Sequence, residues 1–240
     1  MIRVCIYSAV ACIMLAALIG CGSDGTMDGS DDRRAALSDS KNREISRADE
    51  EVMAVNQQVL LNEAQMSFPE IAIPLGSVKY YLPFEAGKHR GVSQGINGST
   101  SHMGKLSNAI DWNLTGYNDY RLPVLASARG TVVLANMLAR FGNCVVIRHV
   151  DGSKTRYAHL DEITVALGQY VGQAGKIGLV GTTGHSTGPH LHFEILDAQM
   201  NGMLPVFAES IVTPVGDMPC TTASEESGCY ESLNSPVSEP

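Results

Sequence analysis

Several common sequence signatures are missing from this chain of 240 residues. It has no His-Glu-x-x-His segment, which excludes the helical zinc site of the commoner metalloproteases. Its six cysteines include no Cys-x-x-Cys pair, so a zinc site made of thiolates is not expected. The formal net charge is -8, and without an excess of basic residues the chain is not expected to bind nucleic acid.

The apolar run near the N-terminus is too short to span a bilayer comfortably. It follows the basic Arg3 and extends from Val4 to Ile19. A basic start, an apolar middle and small residues near the cleavage site are typical of a secretory signal peptide, here residues 1–20. We therefore expect an exported protein.

The segment Leu18-Ile19-Gly20-Cys21 resembles the lipobox of bacterial lipoproteins. In that motif the cysteine is acylated and becomes the mature N-terminus, which implies a membrane anchor on Cys21. Gly22 follows the cysteine, which by the same resemblance favours the outer membrane, facing the periplasm. The alternative is an ordinary signal peptide with a chance cysteine.

Three cysteines remain once the signal peptide and the lipidated cysteine are set aside. Cys220 and Cys229 flank a short polar loop near the C-terminus, and an oxidising compartment permits a disulfide between them. Cys144 lies in an apolar strand pattern and is expected to be a small buried hydrophobe.

Changes in composition divide the rest of the chain into four segments. Residues 21–45 are rich in Ser, Asp, Gly and Arg, which predicts a flexible tether. Residues 46–68 carry apolar side chains at three- and four-residue intervals, which predicts a helix, with a partly disordered continuation as the alternative. A folded domain is expected over residues 69–214, and a loose tail with the expected disulfide over residues 215–240.

The domain over residues 69–214 consists of short apolar and β-branched runs that Gly, Pro and Asn interrupt. Examples are Thr131–Leu134, Cys144–Ile147 and His192–Leu196. Such a pattern predicts a mainly β fold with a minor N-terminal helix, in which antiparallel sheets form a sandwich or an open barrel.

Histidines follow an alternating pattern in residues 190–195. In a strand, His190, His192 and Glu194 would lie on one face, and the apolar residues between them would face the core. Neighbours on the same face are about 6.5–7 Å apart. One imidazole can therefore bind a metal while the other reaches only a further ligand of that metal.

Two other segments carry polar residues of the same kind. Asp111 alternates with the apolar Ile110 and Trp112, so it is expected on the polar face of a strand. His102 lies just upstream, in a loop that could bring its imidazole beside Asp111. His159 is near the end of another predicted strand. Taken singly, each histidine is an ordinary surface or core residue more often than a ligand.

Together these residues resemble the lysostaphin-like zinc peptidases, which cut peptide cross-links or bridges in bacterial peptidoglycan. The matching segments occur in the family's order, and they are SHMGKLSNAIDWNL, PVLASARGTVV, GNCVVIRHVDG, YAHL, GQYVGQAGKIGLVGTTGHSTG and GPHLHFEI. The resemblance covers about residues 91–196, and it implies a cleft that holds one Zn²⁺ ion per chain.

The resemblance also implies roles for individual residues. His102, Asp111 and His192 match the family's zinc ligands, and three protein ligands leave a fourth position for water. His159 and His190 match the two histidines that contact this water and the developing negative charge. The counterpart of Glu194 is not catalytic.

One departure from the family pattern concerns a turn. A glycine expected near Ala174 is displaced by one position, to Gly175. We expect this change to affect the shape of the loop and the substrate preference more than the metal site.

An active endopeptidase that acts on peptidoglycan peptides is the function that this resemblance favours. The alternative is a non-catalytic protein of the same fold that binds peptidoglycan or regulates a wall amidase. Relatives of that second kind typically lose ligands, whereas this chain keeps all five positions. A peptidase for secreted Gly-rich proteins and a structural envelope lipoprotein are further alternatives.

Overall fold

The structure is a computed structural model, and it describes residues 29–68, 77–113, 119–208 and 230–236. Cys21, Cys220 and Cys229 lie outside the described residues, so the lipid anchor and the disulfide stay predictions. Among the described residues, no helical stretch combines the length and the apolar character that crossing a membrane requires.

The described residues form one long helix and twelve strands. The helix, α1, spans Gly29–Ala64. In chain order the strands are β1 His89–Gln94, β2 Ile110–Asn113, β3 Pro123–Leu125, β4 Gly130–Leu138, β5 Gly142–Arg148, β6 Lys154–Leu160, β7 Glu162–Ile163, β8 Tyr170–Val171, β9 Lys176–Leu179, β10 Leu191–Leu196, β11 Gly202–Met203 and β12 Tyr230–Glu231.

The strands form two antiparallel sheets. The larger has nine strands in the spatial order β12-β1-β2-β10-β6-β5-β4-β8, with β11 beside β10. The smaller contains β3, β9 and β7 in that order. The prediction of a mainly β, antiparallel fold is therefore confirmed, and in the described part of the chain the larger sheet is open, since its edge strands β12 and β8 do not pair with each other. The prediction of a loose tail is wrong for its described part, because β12 pairs with β1, and Ser232 and Asn234 are buried with hydrogen bonds to backbone carbonyl groups.

The larger sheet is buried on both of its faces. On one face, Trp112, Tyr157 and Phe193 pack against residues of the smaller sheet. The opposite face packs against α1, and its core combines three valines of the helix with side chains from the sheet and its connections, namely Val52, Val55, Val59, Leu106, Ala109, Val133, Leu134, Phe141, Cys144, Val146, Ala158, Leu196 and Met200. Burial on both faces explains why β5 is an apolar run, and why Cys144 is buried as predicted.

Helix α1 begins earlier than the sequence predicted. The helix expected from residue 46 is present, but residues 29–45, predicted as a flexible tether, are helical as well. Ala, Arg, Lys and Glu favour helix, and no proline interrupts this stretch. Residues 36–40 are exposed, and the chain divides after Ser40 into two compact units, of which the second contains the strands.

Candidate metal centre

Three polar side chains from separate parts of the chain meet at the larger sheet. His102 lies in the loop between β1 and the 3-10 turn Gly104–Leu106, Asp111 lies on β2, and His192 lies on β10. One nitrogen or oxygen atom from each lies within 4.8 Å of the others, and all three residues are buried. The structure therefore brings together the three residues that were predicted to bind zinc.

Strand pairing places two of these residues opposite each other. Asp111 of β2 is in register with His192 of β10, and directly opposed side chains on one face come into contact. Nδ1 of His192 lies 3.0 Å from Oδ1 of Asp111. The predicted alternation is present, because Leu191, Phe193 and Ile195 belong to the core on the other face.

The imidazole of His102 is fixed in one orientation by the backbone. Its Nδ1 lies 2.9 Å from the carbonyl oxygen of Gly95, and because a carbonyl only accepts, Nδ1 carries the proton. Nε2 is buried, has no hydrogen-bond partner and lies 3.1 Å from Oδ1 of Asp111. A lone pair that faces a carboxylate oxygen at this distance is repelled by it. A cation shared by the two atoms would remove that repulsion, so the residues fit a metal ion.

A carboxylate lies at each nitrogen of His192. Nδ1 contacts Asp111, and Nε2 lies 3.1 Å from Oε1 of Glu194. Glu194 is buried and also accepts a hydrogen bond from Nη1 of Arg156 at 2.8 Å. With its Nε2–H donated to Glu194, His192 has Nδ1 left to bind a metal, and such a partner commonly orients a ligating histidine.

These contacts shift the pKa values of His192, Glu194 and Asp111. Burial lowers the pKa of His192, but hydrogen bonds to Asp111 and Glu194 outweigh it and raise this pKa to about 9. Burial raises the pKa of Glu194, but the charge of Arg156 and the contact with His192 bring it to about 2. For Asp111, burial also raises the pKa, but the contact with the imidazole of His192 brings it well below its usual range. Both carboxyl groups are therefore anionic at neutral pH and attract a cation. In the absence of a metal His192 is protonated, and a metal ion bound at its Nδ1 would displace that proton.

His159 and His190 lie next to this cluster. Their ring centroids are 4.8 Å apart, and the ring of His159 is 5.7 Å from that of His192. Nε2 of His190 lies 3.8 Å from Oδ1 of Asp111, which is too far for a hydrogen bond. The structure thus places the two predicted catalytic histidines beside the three predicted zinc ligands, and the two groups of side chains remain separate.

Backbone carbonyl groups hold both of these imidazoles. Nδ1 of His159 lies 2.8 Å from the carbonyl oxygen of Thr183, and Nδ1 of His190 lies 2.8 Å from that of Gly188. Both carbonyl groups belong to the loop before β10. Because each Nδ1 must donate, each Nε2 is the nitrogen that can accept a proton.

The backbone of His159 adopts an unusual conformation. Its φ of 61° is in the left-handed region, and its N–H donates to the carbonyl oxygen of Phe141 at 2.8 Å. A non-glycine residue there costs about 1–3 kcal/mol, and such residues cluster at functional sites. Burial, together with the charges of His192 and His190, lowers the pKa of His159 to about 3, so its imidazole is neutral at neutral pH.

Two glycines allow the loop that holds His159 to lie against β5. Gly142 has a φ of 62°, and a Cβ atom there would lie 2.4 Å from the carbonyl carbon and oxygen of Thr183. Gly184 has a φ of 72°, and its Cβ would lie 2.3 Å from the backbone nitrogen of Gly142. Only glycine fits this close backbone contact.

Sequence reasoning missed Gln94, which connects the His102 loop to Asp111. Its Nε2 lies 3.2 Å from Oδ2 of Asp111 and 2.7 Å from Oγ of Ser101. Its Oε1 accepts hydrogen bonds from the N–H groups of Thr100 and Ser101 at 2.9 and 3.0 Å. A single glutamine at the end of a strand has no pattern that marks it as buried. The irregular register at the end of β1 places it there.

Comparison with known proteins finds a matching family model and several similar proteins. The model of peptidase family M23 matches residues 106–203. The DD-carboxypeptidase/endopeptidase Mpg of Neisseria meningitidis serogroup B is 41% identical over 111 residues, which are 45% of this chain and 25% of that protein. The peptidoglycan DD-endopeptidase ShyB of Vibrio cholerae is 38% identical over 109 residues, again 45% of this chain and 25% of the relative.

A solved structure of a zinc-containing peptidase from Vibrio cholerae is also similar. It has 33% sequence identity and a TM-score of 0.43, over 53% of this chain and 41% of that one. This chain spans about a quarter of the length of the two relatives described above.

Proposed function

We propose that this protein is a zinc-dependent endopeptidase that cleaves peptide cross-links or bridges in bacterial peptidoglycan, on the basis of the match between residues 106–203 and the model of peptidase family M23. The names of the Neisseria and Vibrio relatives, a DD-carboxypeptidase/endopeptidase and a peptidoglycan DD-endopeptidase, support a D,D cross-link as the bond that is cut. The substrate is therefore a peptidoglycan peptide.

The proposed ligands of one zinc ion per chain are Nε2 of His102, a carboxylate oxygen of Asp111 and Nδ1 of His192. The observation that carries this assignment is the buried Nε2 of His102, which has no hydrogen-bond partner and faces a carboxylate. Two imidazoles and one carboxylate are donors that suit zinc, and three protein ligands are typical of a catalytic zinc site.

The other two histidines are proposed to move protons. Bound zinc would polarise the peptide carbonyl group and make water more acidic. Nε2 of His159 or His190 accepts the proton of the attacking water, and the resulting imidazolium donates it to the leaving amine. The carbonyl groups of Thr183 and Gly188 keep the proton on each Nδ1, so Nε2 stays available.

Digestion of purified peptidoglycan by the full chain in detergent tests this function. Mass spectrometry of the fragments is expected to show cleaved cross-links, with activity lost on chelation and restored by added zinc. A protein that binds zinc or peptidoglycan but releases no fragment would favour the non-catalytic alternative.

We also propose that the enzyme is an envelope lipoprotein anchored through Cys21, facing the periplasm from the outer membrane. Support comes from the sequence Leu18-Ile19-Gly20-Cys21. In cell fractionation, Cys21→Ala is expected to release the protein from membranes or to block its maturation. Wild-type protein that is fully soluble and carries no acyl group would contradict the anchor.

A further inference from the structure

Helix α1 is connected to the metal centre by a path of polar side chains. Arg156 donates from Nη2 to Oδ1 of Asn56, which lies on the helix. Arg156 donates from Nη1 to Oε1 of Glu194 at 2.8 Å, and Nε2 of His192 lies 3.1 Å from the same oxygen. The side chains of Arg156 and Glu194 are 0% and 2% exposed, so water does not compete for these bonds.

The guanidinium of Arg156 is held by three neighbours, Glu194, Phe141 and Asn56. Arg156 is opposite Glu194 in the β6–β10 register, and its guanidinium carbon lies 4.5 Å from the ring centroid of Phe141. Its Nε is buried and has no hydrogen-bond partner. Nη2 has Oδ1 of Asn56 as its acceptor, and a buried donor that loses its acceptor is costly. Asn56 is itself held, because its Nδ2 donates to the carbonyl oxygen of Met200 at 3.1 Å.

The same helix also contacts the turn that follows His102. Oδ1 of Asp49 accepts a hydrogen bond from the backbone N–H of Lys105 at 2.9 Å. Gly104 has a φ of 59°, and a Cβ atom there would lie 2.6 Å from the same carboxylate oxygen. One helix thus supports the surroundings of two proposed ligands, His102 and His192, although it precedes the residues that the family model matches.

We propose that Asn56 is a positioning residue for the metal centre. By holding Arg156 against Glu194, it keeps the Nε2–H of His192 directed at Glu194 and leaves Nδ1 for the metal. The inference rests on the proposed function for the identity of the metal, but it concerns only how this chain's own side chains orient a ligand. The second half of α1 then belongs to the working unit of the peptidase.

The test compares two asparagines of the same helix. Asn56→Leu removes the acceptor of Arg156, whereas Asn62→Leu removes a hydrogen bond to the carbonyl oxygen of Val133, at 2.8 Å, that has no contact with the polar path. Zinc affinity of each metal-free protein is measured by competition with a chromophoric chelator, beside its thermal midpoint. Both variants are expected to lower the midpoint, but only Asn56→Leu is expected to weaken zinc binding, by about 10-fold.

The conservative variant Asn56→Asp distinguishes an effect on the orientation of Arg156 from an effect on the packing of the helix. Asn56→Asp loses the hydrogen bond to Met200 but keeps an acceptor for Arg156, so its thermal midpoint is expected to fall while its zinc affinity stays near that of wild type. Equal zinc affinity of wild type and Asn56→Leu would overturn the proposal, and so would equal losses in Asn56→Leu and Asn62→Leu. If the leucine variant does not fold, Asn56→Ala against Asn62→Ala gives the same comparison. Wild-type protein that binds no zinc would instead contradict the proposed function.

Discussion

The cluster of His102, Asp111 and His192 differs from the neighbouring pair of His159 and His190 in whether its donor atoms converge on one point. The three clustered residues are 0%, 7% and 4% exposed, and their donor atoms approach one another. The pair is oriented by backbone carbonyl groups of one loop, which leaves each Nε2 to accept a proton. Converging donors suit a cation, whereas separately oriented imidazoles suit proton transfer. Metal affinity and turnover are therefore expected to depend on different residues.

The largest effect is expected from the three clustered residues. His102→Ala, Asp111→Ala or His192→Ala should each remove most of the bound zinc and abolish cleavage, because two ligands hold a divalent ion far less well than three. Atomic emission of the purified proteins measures the zinc content. If His190→Ala loses metal while His192→Ala keeps it, the two roles are reversed.

A smaller and different effect is expected from the pair. His159→Ala and His190→Ala should keep zinc near one ion per chain but lower turnover by about 10²-fold or more, which is the usual contribution of a positioned acid or base. Zinc content and peptidoglycan hydrolysis are measured on the same preparations. Unchanged turnover in both variants would exclude these imidazoles from the reaction.

The loop that orients His159 can be displaced without touching any histidine. Gly142→Ala should lower turnover by about 10-fold or more, since its Cβ would displace Thr183 and small misplacements of catalytic groups are costly. Zinc should be retained. Gly168→Ala is the control, because Gly168 also has a positive φ, of 81°, but has no atom within 4 Å of the added Cβ.

Both glycine variants should lose about 1–2 kcal/mol of stability from the left-handed backbone alone. Urea unfolding measures this loss. Only Gly142→Ala is expected to lose turnover as well. Equal turnover in the two variants would show that the contact with Thr183 does not orient His159.

The smallest expected effect lies away from both sets of residues. Ala174 lies next to the displaced glycine of the family pattern, and its φ is 58°. Ala174→Gly should raise the free energy of unfolding by about 0.5 kcal/mol, because relief of the left-handed strain slightly exceeds the added freedom of the unfolded chain. Urea unfolding measures it, and both zinc content and turnover should be unchanged. A destabilised variant would show that the alanine methyl group packs favourably here.

Local sequence patterns were sufficient to predict the strands and several residues of the candidate site. In residues 190–195 the two-residue period of a strand separates the polar and apolar faces, so the positions of His192 and Phe193 followed from the sequence. The start of α1 was predicted at residue 46, whereas the helix begins at Gly29. The polar composition of residues 29–45 indicates solvent exposure, but it does not distinguish a solvated helix from a flexible tether.

By itself, the sequence determined which side chains share a strand face, because that property depends only on alternation along one segment. Through resemblance it also indicated the five residues of the candidate site. Only the tertiary structure decided that Gln94, Arg156 and Asn56 support that site. Each of these contacts joins segments distant in the chain, through strand register or helix packing, and no spacing along the sequence records which side chains meet across such distances.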